Sequence, residues 1–220
     1  MAQFLALSYA QMQMSWRQGH IMQAVSFLLI AVILLPFGLG AQLAQLNLLA
    51  SGLLWVALLM AVLLSLDTLF QADIEDGHFD QLIGLDLPLE TVVLAKLSGY
   101  FIAIMVPLLA SVPLAALLLN LSVQNLWPLM VAMLVGTPAL LGLGGIGAAL
   151  AVSVPRGGLL MVLLVMPLYV PIMIFGAGAA NQAVDNVPDM TALAILGLIS
   201  LAALLLSPIA IAAILRSALR

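Results

Sequence analysis

The chain has 220 residues, of which 65% are hydrophobic and only 6% are charged, against about 25% charged in a typical soluble domain. So few charges cannot cover a surface of this size in water, so lipid is the solvent for most of the chain. Five Lys and Arg and a net charge of −4 exclude nucleic-acid binding as a main activity, and the absence of cysteine excludes disulfide scaffolds, thiol nucleophiles, iron–sulfur clusters and cysteine-type zinc sites.

Residues 1–18 carry two helical stripes, Leu5, Tyr9, Met12 and Trp16 on one side and Ser8, Gln11, Ser15 and Gln18 on the other. This pattern predicts an amphipathic helix lying on the cytoplasmic membrane surface, with a frayed terminus as the alternative. The next stretch lacks the early basic region of a cleaved signal peptide and has a Gln-rich flank. Gln18 to Leu66 is a run of 49 uncharged residues. One crossing needs about 20 apolar residues, so this run holds two, at 20–40 and 48–69. Between them the polarity rises at Gly38, Gly40, Gln42, Gln45 and Asn47.

Residues 71–90 contain Asp73, Glu75, Asp76, Asp80, Asp86 and Glu90, six of the nine acids. Asp73, Asp76, Gly77 and Asp80 follow i, i+3, i+4, i+7 spacing, one face of a helix, while Phe79, Leu82 and Ile83 lie on another. Asp76-Gly77 is also a helix-stop signal, so either one short helix runs through the segment or a small one restarts at His78. An acidic face beside an apolar one is a docking element for a partner protein. A solvated loop and a divalent-metal site are the alternatives, and the ligand spacing matches no known metal loop.

Leu97 to Pro155 is a second long uncharged run, of 59 residues, and holds the spans 92–119 and 127–152. Asn120, Ser122, Gln124 and Asn125 mark the turn between them, and Trp127 is placed as an interfacial anchor. Lys96 is expected at the cytoplasmic edge of the third span, since mid-bilayer burial costs about 2.5–3.5 kcal/mol or more. Gly142 to Gly147 satisfies the letters of a dinucleotide-binding fingerprint. No strand precedes it, so its glycines are read as sites of close helix approach. Asn120-Leu121-Ser122 matches a glycosylation triplet that chance alone supplies often. The last two spans are 158–180 and 191–214. Pro107, Pro113, Pro138, Pro167 and Pro171 free backbone carbonyls, marking kinks, a cavity, or groups that neighbours satisfy.

Six spans place Arg17, Lys96, Arg156, Arg216 and Arg220 on one side, with only Asp185 and Asp189 on the other. The positive-inside rule puts that basic side, and both termini, in the cytoplasm. The fold class is therefore all-α integral membrane, one transmembrane domain over 1–220. It has six helices, an N-terminal interfacial helix and a cytoplasmic coupling helix between spans two and three. His20 and His78 both fall on the cytoplasmic side and read as surface or interfacial histidines. No G-x-x-x-x-G-K-[ST] and no catalytic constellation occurs, so the chain is not expected to be an enzyme. Any ATP hydrolysis would belong to another subunit.

Leu69-Phe70, Asp73, Asp76-Gly77 and Gln81-Leu82, followed by Val92 to Lys96, Gly136-Thr137-Pro138, Arg156-Gly157-Gly158, Pro167, Pro171 and Leu206-Ser207-Pro208, carry a resemblance. In this order the chain resembles the permease subunits of type-2 ABC exporters, and most closely the CcmB family, haem exporter protein B of bacterial cytochrome c maturation. It departs from the family at Leu85 to Glu90, where extra acids replace a Pro/Leu-rich stretch, and in a Gln-rich first outer loop. The resemblance implies a homodimer in the inner membrane, bound to two CcmA-like ATPase subunits and associated with CcmC-like and CcmD-like membrane proteins. It implies that Asp73, Glu75, Asp76, Gly77, Phe79, Asp80, Gln81 and Leu82 couple the permease to the ATPase. No cofactor is expected on this chain. The resemblance implies haem as a candidate cargo of the complex, ATP in the partner subunit, and a CcmE-like chaperone that receives the haem. The coupled event is either movement of haem across the bilayer or release of the loaded chaperone; the lack of an outer-side histidine favours release. An exporter of lipid, glycan or drug, and a scaffold not coupled to ATP, are the alternatives.

Overall fold

The structure is a computed structural model that describes residues 2–17, 19–40, 43–67, 69–71, 87–152, 154, 157–181, 183 and 187–218. The described helices are α1 (Ala2–Arg17), α2 (His20–Leu39), α3 (Leu43–Leu66), α4 (Leu89–Tyr100), α5 (Val106–Leu118), α6 (Val123–Val152), α7 (Gly157–Asn181) and α8 (Met190–Ala218). A π-helical turn, Phe101–Met105, joins α4 to α5 without a break. Six helical stretches are long and apolar enough to cross a membrane, with α4, the π turn and α5 forming the third. This is the all-α, six-span membrane architecture expected from the uncharged runs.

The span ends are set by local chemistry. Pro88 precedes α4 with φ −56°, and its carbonyl accepts the Thr91 and Val92 amides at 2.9 and 3.2 Å. Its own missing N–H costs nothing at a helix start. α5 stops at a left-handed Asn120 (φ 53°), and the Leu121 amide reaches back to Ala116 O at 3.0 Å. That six-to-one bond is a Schellman closure, with asparagine in the place glycine usually takes. Asn47 Nδ2 of α3 then donates to Asn120 O at 2.7 Å and ties the two outer turns together. Asp189 caps α8 through the Thr191 and Ala192 amides at 3.1 and 3.4 Å.

α6 is the axis of the bundle. It packs along most of α7 and α8 and also touches α3, α4 and α5, while α2 packs on α3 and α5. In lipid there is little hydrophobic drive between helices, so close contact and interhelical hydrogen bonds hold them together. Both are present. Tyr169 of α7 donates to Leu140 O at 2.6 Å, Ser200 of α8 donates to Val135 O, and Ser51 of α3 donates to Asn181 Oδ1. The glycines of α6 do what their close-approach reading requires: a Cβ at Gly142 would lie 3.0 Å from Ser207 Oγ and 3.1 Å from Ala203 O of α8. Thr137 Oγ1 donates to Leu134 O at 3.2 Å, the carbonyl that Pro138 leaves without its helical partner. At the centre sits Trp55, fully buried, its indole seated against Gly136 and Gly176.

α1 is oriented differently from the simple surface picture. Its polar stripe faces protein rather than water: Ser15 is buried and Ser8 Oγ donates to Ala95 O of α4 at 3.0 Å. Leu5, Tyr9 and Trp16 remain exposed, whereas Met12 turns inward. The hydroxyls therefore make the helix–helix contact and the large apolar side chains are left for lipid. A Cβ at Gly99 would run into the Ser8 carbonyl, so this contact depends on a bare backbone. Gly99→Leu is expected to release α1, raising amide hydrogen exchange across residues 4–16 by about tenfold or more while the six spans stay protected.

Candidate functional site

The basic end of the bundle gathers the groups that flank the acidic segment. The chain leaves α3 at Leu66, where the Leu69 amide closes a turn on Leu66 O at 3.0 Å. Leu69 and Phe70 tuck back into the core. The chain re-enters at Leu87-Pro88-Leu89, with Leu89 buried again. Both flanks are thus anchored by apolar side chains at one end of the molecule.

Two charged contacts reinforce the anchors. Lys96 lies in the second turn of α4 and is only 7% exposed. Its Nζ is 5.4 Å from the centroid of the Phe70 ring, in cation–π range. The lysine expected at the span's cytoplasmic edge is therefore covered by protein rather than reaching into water. At the start of the same helix Glu90 pairs with Arg216 near the end of α8, 2.9 Å from Oε1 and 3.1 Å from Oε2 to the same Nη2. This pair is half-exposed, so it positions the two helix ends more than it stabilises them. Asp67 places its carboxylate beside Gly158, against the first turn of α7, where the helix dipole favours an anion.

Exit and re-entry of the segment are therefore fastened to α4, α7 and α8. The two ends of the segment thus contact three different spans. The expected docking residues Asp73, Glu75, Asp76, Gly77, Phe79, Asp80, Gln81 and Leu82 lie outside the described residues. Among the described residues no group of three or more His, Asp or Glu side chains is placed to hold a metal ion. The Phe70–Lys96 contact carries a prediction. A double-mutant cycle with Phe70→Leu and Lys96→Met, read from thermal unfolding in detergent, is expected to give a favourable coupling of about 0.5–2 kcal/mol.

The comparisons agree on one family. The family described as CcmB protein matches residues 2–218. The chain belongs to the CcmB family. A relative from Paracoccus denitrificans named Heme exporter protein B is 46% identical over 197 residues, covering 90% of each chain. One of the same name from Haemophilus influenzae is 40% identical over 217 residues, 98% of each chain. A third, from Escherichia coli, is 38% identical over 190 residues, 86% of each. A CcmB-family match of this reach takes in α1, all six spans and the segment between α3 and α4, so both flanking anchors fall inside the shared region. The Phe70–Lys96 and Glu90–Arg216 contacts of this CcmB-family chain were not foreseen from sequence. Leu69-Phe70 and Lys96 stood in the family pattern, but nothing in their spacing pairs them.

Proposed function

We propose that this chain is the membrane permease subunit of a haem-handling ABC complex in cytochrome c maturation, and that it couples ATP hydrolysis by a separate subunit to haem delivery. The observation that carries this reading is the family match from residue 2 to residue 218, joined by relatives named Heme exporter protein B. The fastened flanks of the acidic segment support the coupling half of it.

In this reading the complex sits in the bacterial cytoplasmic membrane. Two copies of the chain bind two CcmA-like ATPases, together with CcmC-like and CcmD-like proteins and the haem chaperone CcmE. Asp73, Glu75, Asp76 and Asp80 meet the ATPase, Phe79 and Leu82 fill the apolar floor of its groove, and Gly77 and Gln81 belong to the same coupling segment. Between movement of haem and release of the loaded chaperone, the sequence favours release. The charge pattern assigns its two histidines, His20 and His78, to the cytoplasmic side, leaving no histidine ligand for haem at the outer end.

The test is purification of the tagged chain from its native membrane in mild detergent, with mass spectrometry of what accompanies it. An ATPase together with CcmC-like and CcmE-like proteins is the expected result. An ATPase without haem proteins would assign a different cargo, and the absence of any ATPase from an intact complex would overturn the coupling role.

A further inference from the structure

A groove of about 340 Å³ runs between α4 and α8, floored by α6 and open to the membrane. Its walls are mainly Leu94, Leu97, Phe101 and Ile102 on one side and Leu204 on the other, over Leu141, with one serine on each wall, Ser98 and Ser207. The side chains at its mouth are exposed: Leu94 38%, Ile102 53% and Leu204 42%. It is an open groove between three apolar spans, not an enclosed cavity.

The slot has a charged end. Glu90, Leu94, Ser98 and Ile102 fall four residues apart, on one stripe of α4 and the π turn that follows. Glu90 is the residue that Arg216 grips, so the ion pair stands at the cytoplasmic end of this wall. From Glu90 to Ile102 the rise is about 18 Å at 1.5 Å per residue. One leaflet contributes about 15 Å of the roughly 30 Å hydrocarbon core. The lined wall from Leu94 to Ile102 rises about 12 Å, so an acyl chain lying in it crosses most of one leaflet from a cation one helical turn beyond Leu94, at Glu90. Both contacts to Glu90 use a single guanidinium nitrogen, Nη2, and the fork has five N–H donors in all. It retains donors for a phosphate, and arginine binds phosphate well.

We propose that this groove is a binding site for one anionic phospholipid of the cytoplasmic leaflet, with an acyl chain between α4 and α8 and its phosphate on Arg216. The proposal stands apart from the haem-handling reading and would hold for any cargo. Glu90 shares the cation and weakens the site, so the pair sets how tightly the lipid is held.

The experiment uses the full chain in nanodiscs of equal phosphatidylglycerol and phosphatidylcholine, with native mass spectrometry of the lipid retained after collisional stripping. One phosphatidylglycerol per chain is expected. Leu204→Trp and, on the opposite wall, Leu94→Trp should each fill the slot and lower retention by about tenfold, equivalent to about 1.4 kcal/mol. Arg216→Gln should abolish the preference for phosphatidylglycerol, and Glu90→Gln should raise retention. Unchanged retention in both tryptophan variants would overturn the site. Equal retention of the two lipids by the unmodified chain would overturn the headgroup assignment. A photocrosslinker at Ile102 that captured a second copy of this chain or another membrane protein, instead of lipid, would also overturn the proposal.

Discussion

Gly176→Leu is expected to prevent the chain from accumulating as a folded protein. Trp55 is fully buried near the middle of α3, and its indole lies directly where a Cβ at Gly176 would be. A Cβ at Gly136, across the ring, would be 2.6 Å from Cη2. The ring is therefore held between two helices by two residues that lack side chains. The ring is rigid and fully buried, so α3 and α7 would have to part. Overpacking a filled core costs about 1–3 kcal/mol, and occasionally more, even for small additions. Gly176→Ala should lower thermal stability by about that amount in detergent, and leucine should exceed what the protein can absorb. Trp55→Phe supplies the control, because the smaller ring frees space beside Gly176. The alanine should be better tolerated in the Trp55→Phe background, with a coupling of about 0.5–3 kcal/mol as for other side chains in direct contact. Equal costs in the two backgrounds would show that Trp55 is not what excludes a side chain at Gly176.

Asp76→Lys with Asp80→Lys is expected to abolish association with the ATPase subunit while leaving membrane insertion intact. The two acids share one face of the predicted coupling helix, and the double change moves that face from negative to positive. Like-charge contact across an interface costs several kcal/mol and slows encounter. No span is touched, so yield in the membrane fraction and thermal stability should match the unmodified chain. The measurement is a pull-down with the ATPase, paired with cytochrome c content in cells. Full retention of the ATPase would remove these residues from the docking surface. Loss of both the ATPase and membrane yield would mean that the segment serves folding instead.

The spans were legible because an uncharged run of 49 or 59 residues in a chain this apolar has few alternatives to a pair of membrane crossings. Their ends were less so. α3 begins at Leu43 rather than 48, and α6 at Val123 rather than 127. The turns gained carry Gln45, Asn47, Gln124 and Asn125, and helix does not stop where such polar residues interrupt the apolar run. Trp127, read as an interfacial anchor at the start of the fourth span, lies in the second turn of α6 and is exposed. Facing was harder still. The two stripes of α1 were visible, but in water and in lipid the same stripe points opposite ways, and only the contact with α4 decides between them. The flanking contacts of the candidate site could not be read at all. Glu90 and Arg216 are 126 residues apart, and no local pattern reports that their helices end together. Lys96 shows the same limit: desolvation argued for a position near the span's edge, but not for the Phe70 ring that lies against its ammonium there.

The π turn at Phe101–Met105 has a consequence for how one span can serve two sets of neighbours. Below it, α4 faces α1 and α8; above it, α5 faces α2, α3 and α6. A straight helix would carry a single interface along its whole length. Each π turn inserts one residue into the repeat, which rotates everything downstream by about 100°. The span is in effect two helices in different phase, joined at mid-membrane. The cytoplasmic half is thereby committed to α1 and α8 and the outer half to α2, α3 and α6, so a single crossing stitches two separate groups of helices together.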